Sequence, residues 1–205
     1  MDPSSPTSTS ERGKRKTRST IKQVLLLLII QREGPIGRYR LKTVLEMSVH
    51  EGIVRHMLEE YQAAGIISSS RQGASLTTQG HEFLQQLLHQ YRILDIQHLA
   101  IPLISTHPPT LGMHLQDCAD RITSAMEIRD IAVRGGARSA TVVIFRDDVL
   151  TIPAVDPMFI SDNPAVTRQI HATFTLQPND VIILISADSL WRRLEAAIHV
   201  AASLS

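Results

Sequence analysis

Seven consecutive apolar residues, Val24-Leu-Leu-Leu-Leu-Ile-Ile30, sit in a segment whose borders are those of a helix. Ser19 or Thr20 can cap its start and Gly34-Pro35 stops it, so the pattern predicts a first helix over residues 19–32. At 3.6 residues per turn such a run is apolar nearly all round, and a helix of that kind must be buried on more than one side. A small domain that packs its first helix from one side leaves apolar surface over, for a dimer partner or for a second domain. The run is far short of the ~20 residues that a membrane span needs. No small-residue cleavage site follows it, so neither a membrane segment nor a signal peptide is expected.

The next sixty residues follow a definite order. A short second helix is expected over residues 38–45 and a tight turn at Glu46-Met47-Ser48. Ser48 precedes Glu51 by three residues, the S-x-x-E spacing of a capping box, which opens a third helix over residues 49–64. Gly65 closes it from the C′ position. On that helix Ile53, Val54, Met57, Leu58, Tyr61 and Ala64 form one apolar arc, with Glu51, Gly52, Arg55, His56 and Glu59 opposite. Ile66-Ile-Ser-Ser-Ser70, a turn at Arg71-Gln72-Gly73 and Ala74-Ser-Leu76 read as a β-hairpin. Leu76-Thr-Thr-x-Gly80 then leads into a fourth helix over residues 79–91. Helix, helix, turn, helix, hairpin, helix is the order of a winged helix-turn-helix domain, expected here over residues 19–93. Residues 1–18, rich in Ser, Thr and Pro and then basic, are expected to be a disordered tail.

Charge divides the chain in the same way. Up to Arg92 there are 13 Lys/Arg against 8 Asp/Glu, and from Ile93 onward 8 against 12. A basic front half attracts phosphate backbones and an acidic back half repels them. Residues 94–205 alternate strand-like and helix-like segments: strands at 97–104, 110–116, 139–146, 149–155 and 180–186, and helices at 120–134, 163–174 and after Ser189. This predicts a two-layer α/β sandwich and an α+β chain overall. The one cysteine, Cys118, excludes an internal disulfide, fits a reducing cytoplasm and reads as a small buried residue.

In a helix-turn-helix the start of the second helix of the motif meets base edges. The residues placed there are His50, Glu51, Gly52, Arg55 and His56, with Arg55 the candidate reader of guanine. Arg71 at the hairpin tip is the candidate wing contact, and Arg38, Arg40 and Lys42 the candidate phosphate contacts. Against this, Glu51 and Arg55 are an i, i+4 pair that can neutralise each other.

The nine histidines lack metal-ligand spacing, and no metal or cofactor is implied. Gly135-Gly136 ends a helix, where the dipole has the wrong sign for an anion. On a wheel begun at Asp120, Arg129 falls amid Ile122, Ala125, Met126, Ala132 and Val133. A charge facing the sheet needs a partner, so Glu127, Arg129 and Asp130 are a candidate buried ion pair or effector pocket, with Asp120 or Asp130 as the carboxylate.

The stretches Glu51-Gly-Ile-Val-Arg-His-Met-Leu, Gly65-Ile-Ile-Ser-Ser-Ser-Arg-Gln-Gly and Leu76-Thr-Thr-x-Gly80 resemble an archaeal winged-helix family. Its proteins carry a C-terminal domain of unknown function, number 4443. The likeness continues at Met126-Glu-Ile-Arg-Asp130, Gly136-Ala-Arg-Ser-Ala-Thr141 and Ala197-Ile-His-Val-Ala201. The resemblance implies a transcription regulator of the archaeal cytosol and no catalytic residues. Duplex DNA is then the expected partner, with a homodimer and a small-molecule effector as further candidates. Two alternatives stay open: a winged-helix module that docks on proteins of the transcription machinery, and a C-terminal enzyme acting on a phosphorylated small molecule.

Overall fold

A stop signal at one end of a helix says nothing about how far it reaches at the other. In the computed structural model, which describes residues 8–45, 51–99, 110–153 and 163–205, α1 runs Ser8–Glu33. It therefore starts well before the expected residue 19, and residues 8–18 are helical where a disordered arm was expected. The physical reason is in the sequence: Pro6 is the last proline ahead of the helix, and the Lys and Arg that follow are good helix formers. Residues 24–30 are all 0–2% exposed within the single chain. The surplus apolar surface expected of this helix is thus already covered, and none is left there for a dimer partner.

Two compact units divide the chain, Met1–Leu84 and Gln85–Ser205, earlier than the boundary expected after residue 93. In the first, α2 spans Arg38–Val44 and α3 spans Glu51–Ala63. The turn at Glu46–Ser48, the Ser48 cap and His50 lie outside the described residues. Strands β1 (Ile67–Ser70) and β2 (Gly73–Leu76) pair antiparallel, Ile67 opposite Leu76 and Ser70 opposite Gly73. Helix α4 covers Thr78–Gln90 and crosses the division after Leu84. A single bridge between Ile36 and Ala74 adds a third short edge to the hairpin.

In the second unit five antiparallel strands lie in the order β3-β4-β7-β5-β6. They are β3 (Ile93–Leu99), β4 (Thr110–Leu115), β5 (Ser139–Arg146), β6 (Val149–Thr151) and β7 (Val181–Ser186). The helices are α5 (Ala125–Arg134), α6 (Pro164–Thr173) and α7 (Leu190–Ser203). The first strand begins four residues ahead of the expected residue 97.

Every residue of β4 and β7 is buried, so this sheet is covered on both faces rather than one. Val143, Phe145, Ile182 and Leu184 pack with Val166 and Ile170 of α6 and with Phe174. The alternate residues Leu111, Met113, Ile183 and Ile185 point the other way, where α5 and α7 lie. The two-layer expectation is corrected to three layers. The third layer is the helix expected at 163–174: Val166 and Ile170 of α6 bring its apolar face to the side of the sheet opposite α5 and α7.

Candidate functional site

The hairpin of the first unit is fixed to the helices by small residues and hydroxyls. Gly73 has a φ of +133°, and a Cβ there would fall 2.3 Å from the carbonyl carbon of Ile36. Only glycine lets the hairpin approach the segment before α2 so closely. On the other side Thr77 Oγ1 donates to Gly65 O at 2.6 Å and accepts the Gly80 N–H at 3.0 Å. That explains the Leu76-Thr-Thr-x-Gly80 step: one hydroxyl caps α4 and ties it to the end of α3. Ser69 Oγ donates to Gln62 Oε1 at 3.0 Å, which holds β1 against α3.

These ties leave a groove of about 230 Å³ between α2, α3 and the hairpin. Arg38 and Arg55 line it, with Glu59, Gln62, Ser69 and Ser70. Arg38 is the first residue of α2 and exposed. Arg55 is also exposed, and its Nε lies 3.6 Å from Glu59 Oε1. Glu59 is a turn ahead on α3; the expected pair with Glu51, a turn back, lies outside the described side chains. Glu51 is the first residue of α3, and its side chain lies outside what is described. Gly52 is exposed, with open space where a Cβ would be.

The remaining candidates stand apart from the groove. Arg40 donates from Nη2 to Glu33 Oε2 at 2.6 Å, an ion pair between α2 and the end of α1. Lys42 is exposed on α2. His56 Nε2 lies 3.4 Å from Glu60 Oε1. Arg71 is exposed at the hairpin tip, where the Ser70 hydroxyl accepts the Gln72 N–H at 3.1 Å and shapes the turn. Structure therefore brings together Arg38 and Arg55, leaves Arg71 at the hairpin tip outside the groove, and neutralises Arg40 locally.

In the second unit the cluster Glu127, Arg129 and Asp130 is not buried. All three are exposed, and the buried face of α5 is set by Ile128 and Ala132. Met126 and Val133, expected to face the sheet, are 62% and 45% exposed. The helix starts at Ala125, after a 3-10 turn at Ala119–Arg121, so Ile122 does not belong to its apolar arc, whereas Ile128, left out of that arc, is buried. Asp120 pairs with Arg146 instead. The buried ion-pair reading is thus corrected, while Arg129 does line a groove beside β5.

A different buried polar pair escaped the sequence reading. His114 on β4 places Nε2 2.7 Å from Asp180 Oδ2, and both side chains are shut off from solvent. Phe174 packs edge-on to the imidazole, with ring centroids 5.6 Å apart. The two residues are far apart in sequence, and no local motif joins them. Among the described residues no cluster of His, Cys, Asp or Glu is suited to hold a metal, and no helix is long and apolar enough to cross a membrane.

With helices packed on a five-stranded antiparallel sheet, the C-terminal unit is an α+β domain. Residues 109–204 match the family model described as a domain of unknown function, DUF4443. Among solved structures, a hypothetical protein from Pyrococcus horikoshii OT3 is similar, at 25% identity over 90% of each chain with a TM-score of 0.66. No curated protein matches the chain.

Proposed function

We propose that the chain is a DNA-binding transcription regulator, not an enzyme, in which residues 19–93 act as a winged helix-turn-helix and the C-terminal unit serves dimerisation or ligand sensing. The observation that carries this reading is the shared groove of Arg38 and Arg55 beside the hairpin that presents Arg71. Two guanidiniums on neighbouring helices with a third on an adjoining hairpin suit a phosphate backbone and one base edge. Arg55 is the base reader in this account. Binding of duplex DNA should weaken with salt, and Arg38→Ala or Arg71→Ala should each lower the slope by about one. Arg55→Ala should cost about 1–3 kcal/mol and relax sequence preference. Failure of the full-length protein to bind any duplex at low salt would overturn the reading.

One observation favours a second reading. Arg40 and Arg55 already have glutamate neighbours, Glu33 and Glu59, which lowers the positive field of this face. A surface of alternating charge suits a protein of the transcription machinery. Capture of such a protein without nucleic acid would select that alternative.

A further inference from the structure

Two unfinished surfaces lie side by side in the C-terminal unit. The first is the outer edge of β5. Strand β6 covers only Ile144, Phe145 and Arg146 of it. The connecting turn is Asp147-Asp148, both with positive φ, a two-residue hairpin in which the flanking pair Arg146 and Val149 exchange backbone hydrogen bonds. Residues 146 and 144 therefore turn their N–H and C=O groups toward β6, and by the period of two so do Val142 and Ala140. The opposite set faces β7, as the Phe145 N–H shows by donating to Asp180 O at 2.9 Å. Since β6 ends at Thr151, Ala140 and Val142 turn their backbone groups to an edge where no described strand pairs. The five residues there, Ser139-Ala-Thr-Val-Val143, include no charge and no proline, the usual guards of a free edge.

The second surface is the outward flank of α5. Its inner side packs on α7 so tightly that a Cβ at Gly135 would fall 2.9 Å from Ala196 Cα. Its outer side shows Met126 and Val133 with Arg129 and Asp130 between them. Among the described residues neither charge has an ion-pair partner, and Arg129 reaches only the Met126 sulfur, 3.9 Å away. A groove of about 530 Å³ joins the two surfaces, with Met126 and Arg129 on one wall and Ala140 and Val142 on the other.

We propose that a second copy of this chain covers both surfaces across a two-fold axis. In an antiparallel pair of α5 helices, Met126 meets the partner's Val133, and Arg129 meets the partner's Asp130. The axis repeats both contacts, so the sequence of this flank is complementary to itself. On β5 an axis through Thr141 sets Ala140 opposite the partner's Val142, and the two sheets become one. A single axis serves both contacts. The centre of α5 and Thr141 each lie roughly 7 Å from the turn that joins them, at 1.5 Å per helical and 3.3 Å per strand residue. This interface is independent of the DNA reading.

The test is sedimentation velocity on the full chain. The wild type should be a dimer. Arg129→Asp should weaken it by roughly tenfold or more, because two acids then face two acids. Adding Asp130→Arg should restore wild-type affinity by exchanging the pairs. Ala140→Pro, which removes only an outward N–H, should also yield monomer with an unchanged circular dichroism spectrum. Should that variant not fold, the charge exchange decides alone. A monomeric wild type, a dimer indifferent to Arg129→Asp, or a double variant that is not rescued would each overturn the proposal.

Discussion

His114 and Asp180 form a buried pair whose carboxylate does three jobs. Oδ2 meets His114 Nε2 at 2.7 Å and accepts the Gln177 N–H at 2.8 Å, while Oδ1 accepts the Asp117 N–H at 3.0 Å. Asp180 thus joins strand β4 to the turn that follows β4 and to the turn that precedes β7. Asp180→Ala should cost about 3 kcal/mol or more, since it strands a buried imidazole and two backbone donors. His114→Leu leaves Asp180 with both amide donors and should cost less. Urea unfolding midpoints of the two variants check the order, and equal losses would refute the account.

Two glycines of the first unit should respond in opposite senses to the same change. A Cβ at Gly80 would fall 2.0 Å from the Ile66 carbonyl oxygen, so Gly80→Ala must shift the backbone where α4 leaves the hairpin. A loss of about 2 kcal/mol or more is expected. At Gly52, inside α3, nothing stands within 4 Å of the added methyl. Gly52→Ala should stabilise by up to about 1 kcal/mol through helix propensity alone. Thermal melts of the pair read both signs at once.

Alkali should destabilise this protein through three buried or half-buried groups. Burial pushes the Cys118 thiol up, as it does the phenols of Tyr91 and Tyr61, the last also raised by the Glu60 charge. Each is neutral at pH 7 and holds its proton longer folded than unfolded. The unfolded chain therefore binds fewer protons once the pH passes the ordinary thiol and phenol range of about 8.5 to 10, and stability falls from there upward. Below that range these groups contribute a constant amount. Denaturant midpoints should stay level on their account through neutral pH and drop in alkali. Alkylation of Cys118 in the folded protein should be slow at pH 7, with unfolded chain as the control.

What the sequence made legible follows from how local its signals are. Gly65, the turn at Gly73, the Thr77–Gly80 step and the Ser189 cap each act within a few residues, and each stands where expected. Ser189 Oγ, for example, accepts the Arg192 N–H at 3.2 Å. The buried face of α5 was misjudged because the apolar arc counted Ile122, which lies ahead of the helix, and left out Ile128, which is buried. A signal was present: Ser124-Ala-Met-Glu127 has the S-x-x-E spacing already used at Ser48, and Ser124 Oγ does accept the Glu127 N–H at 3.4 Å. The candidate groove was half legible. Arg38 and Arg55 come together, but the pairing of Arg40 with Glu33 spans two helices and depends on an angle that no spacing encodes. His114 and Asp180 meet only because β4 and β7 are neighbours, a choice made by the whole sheet.

The apolar stretch at residues 24–30 has a consequence during synthesis. It lies within residues 1–30 and is synthesised before any of the strands. For that interval the cell holds an uncharged run of Val, Leu and Ile that no tertiary contact yet covers. The Lys and Arg of residues 12–18 directly precede it. Charges flanking a sticky segment keep nascent chains apart by mutual repulsion. The basic leader thus acts as a gatekeeper for the nascent chain, whatever it touches in the finished protein.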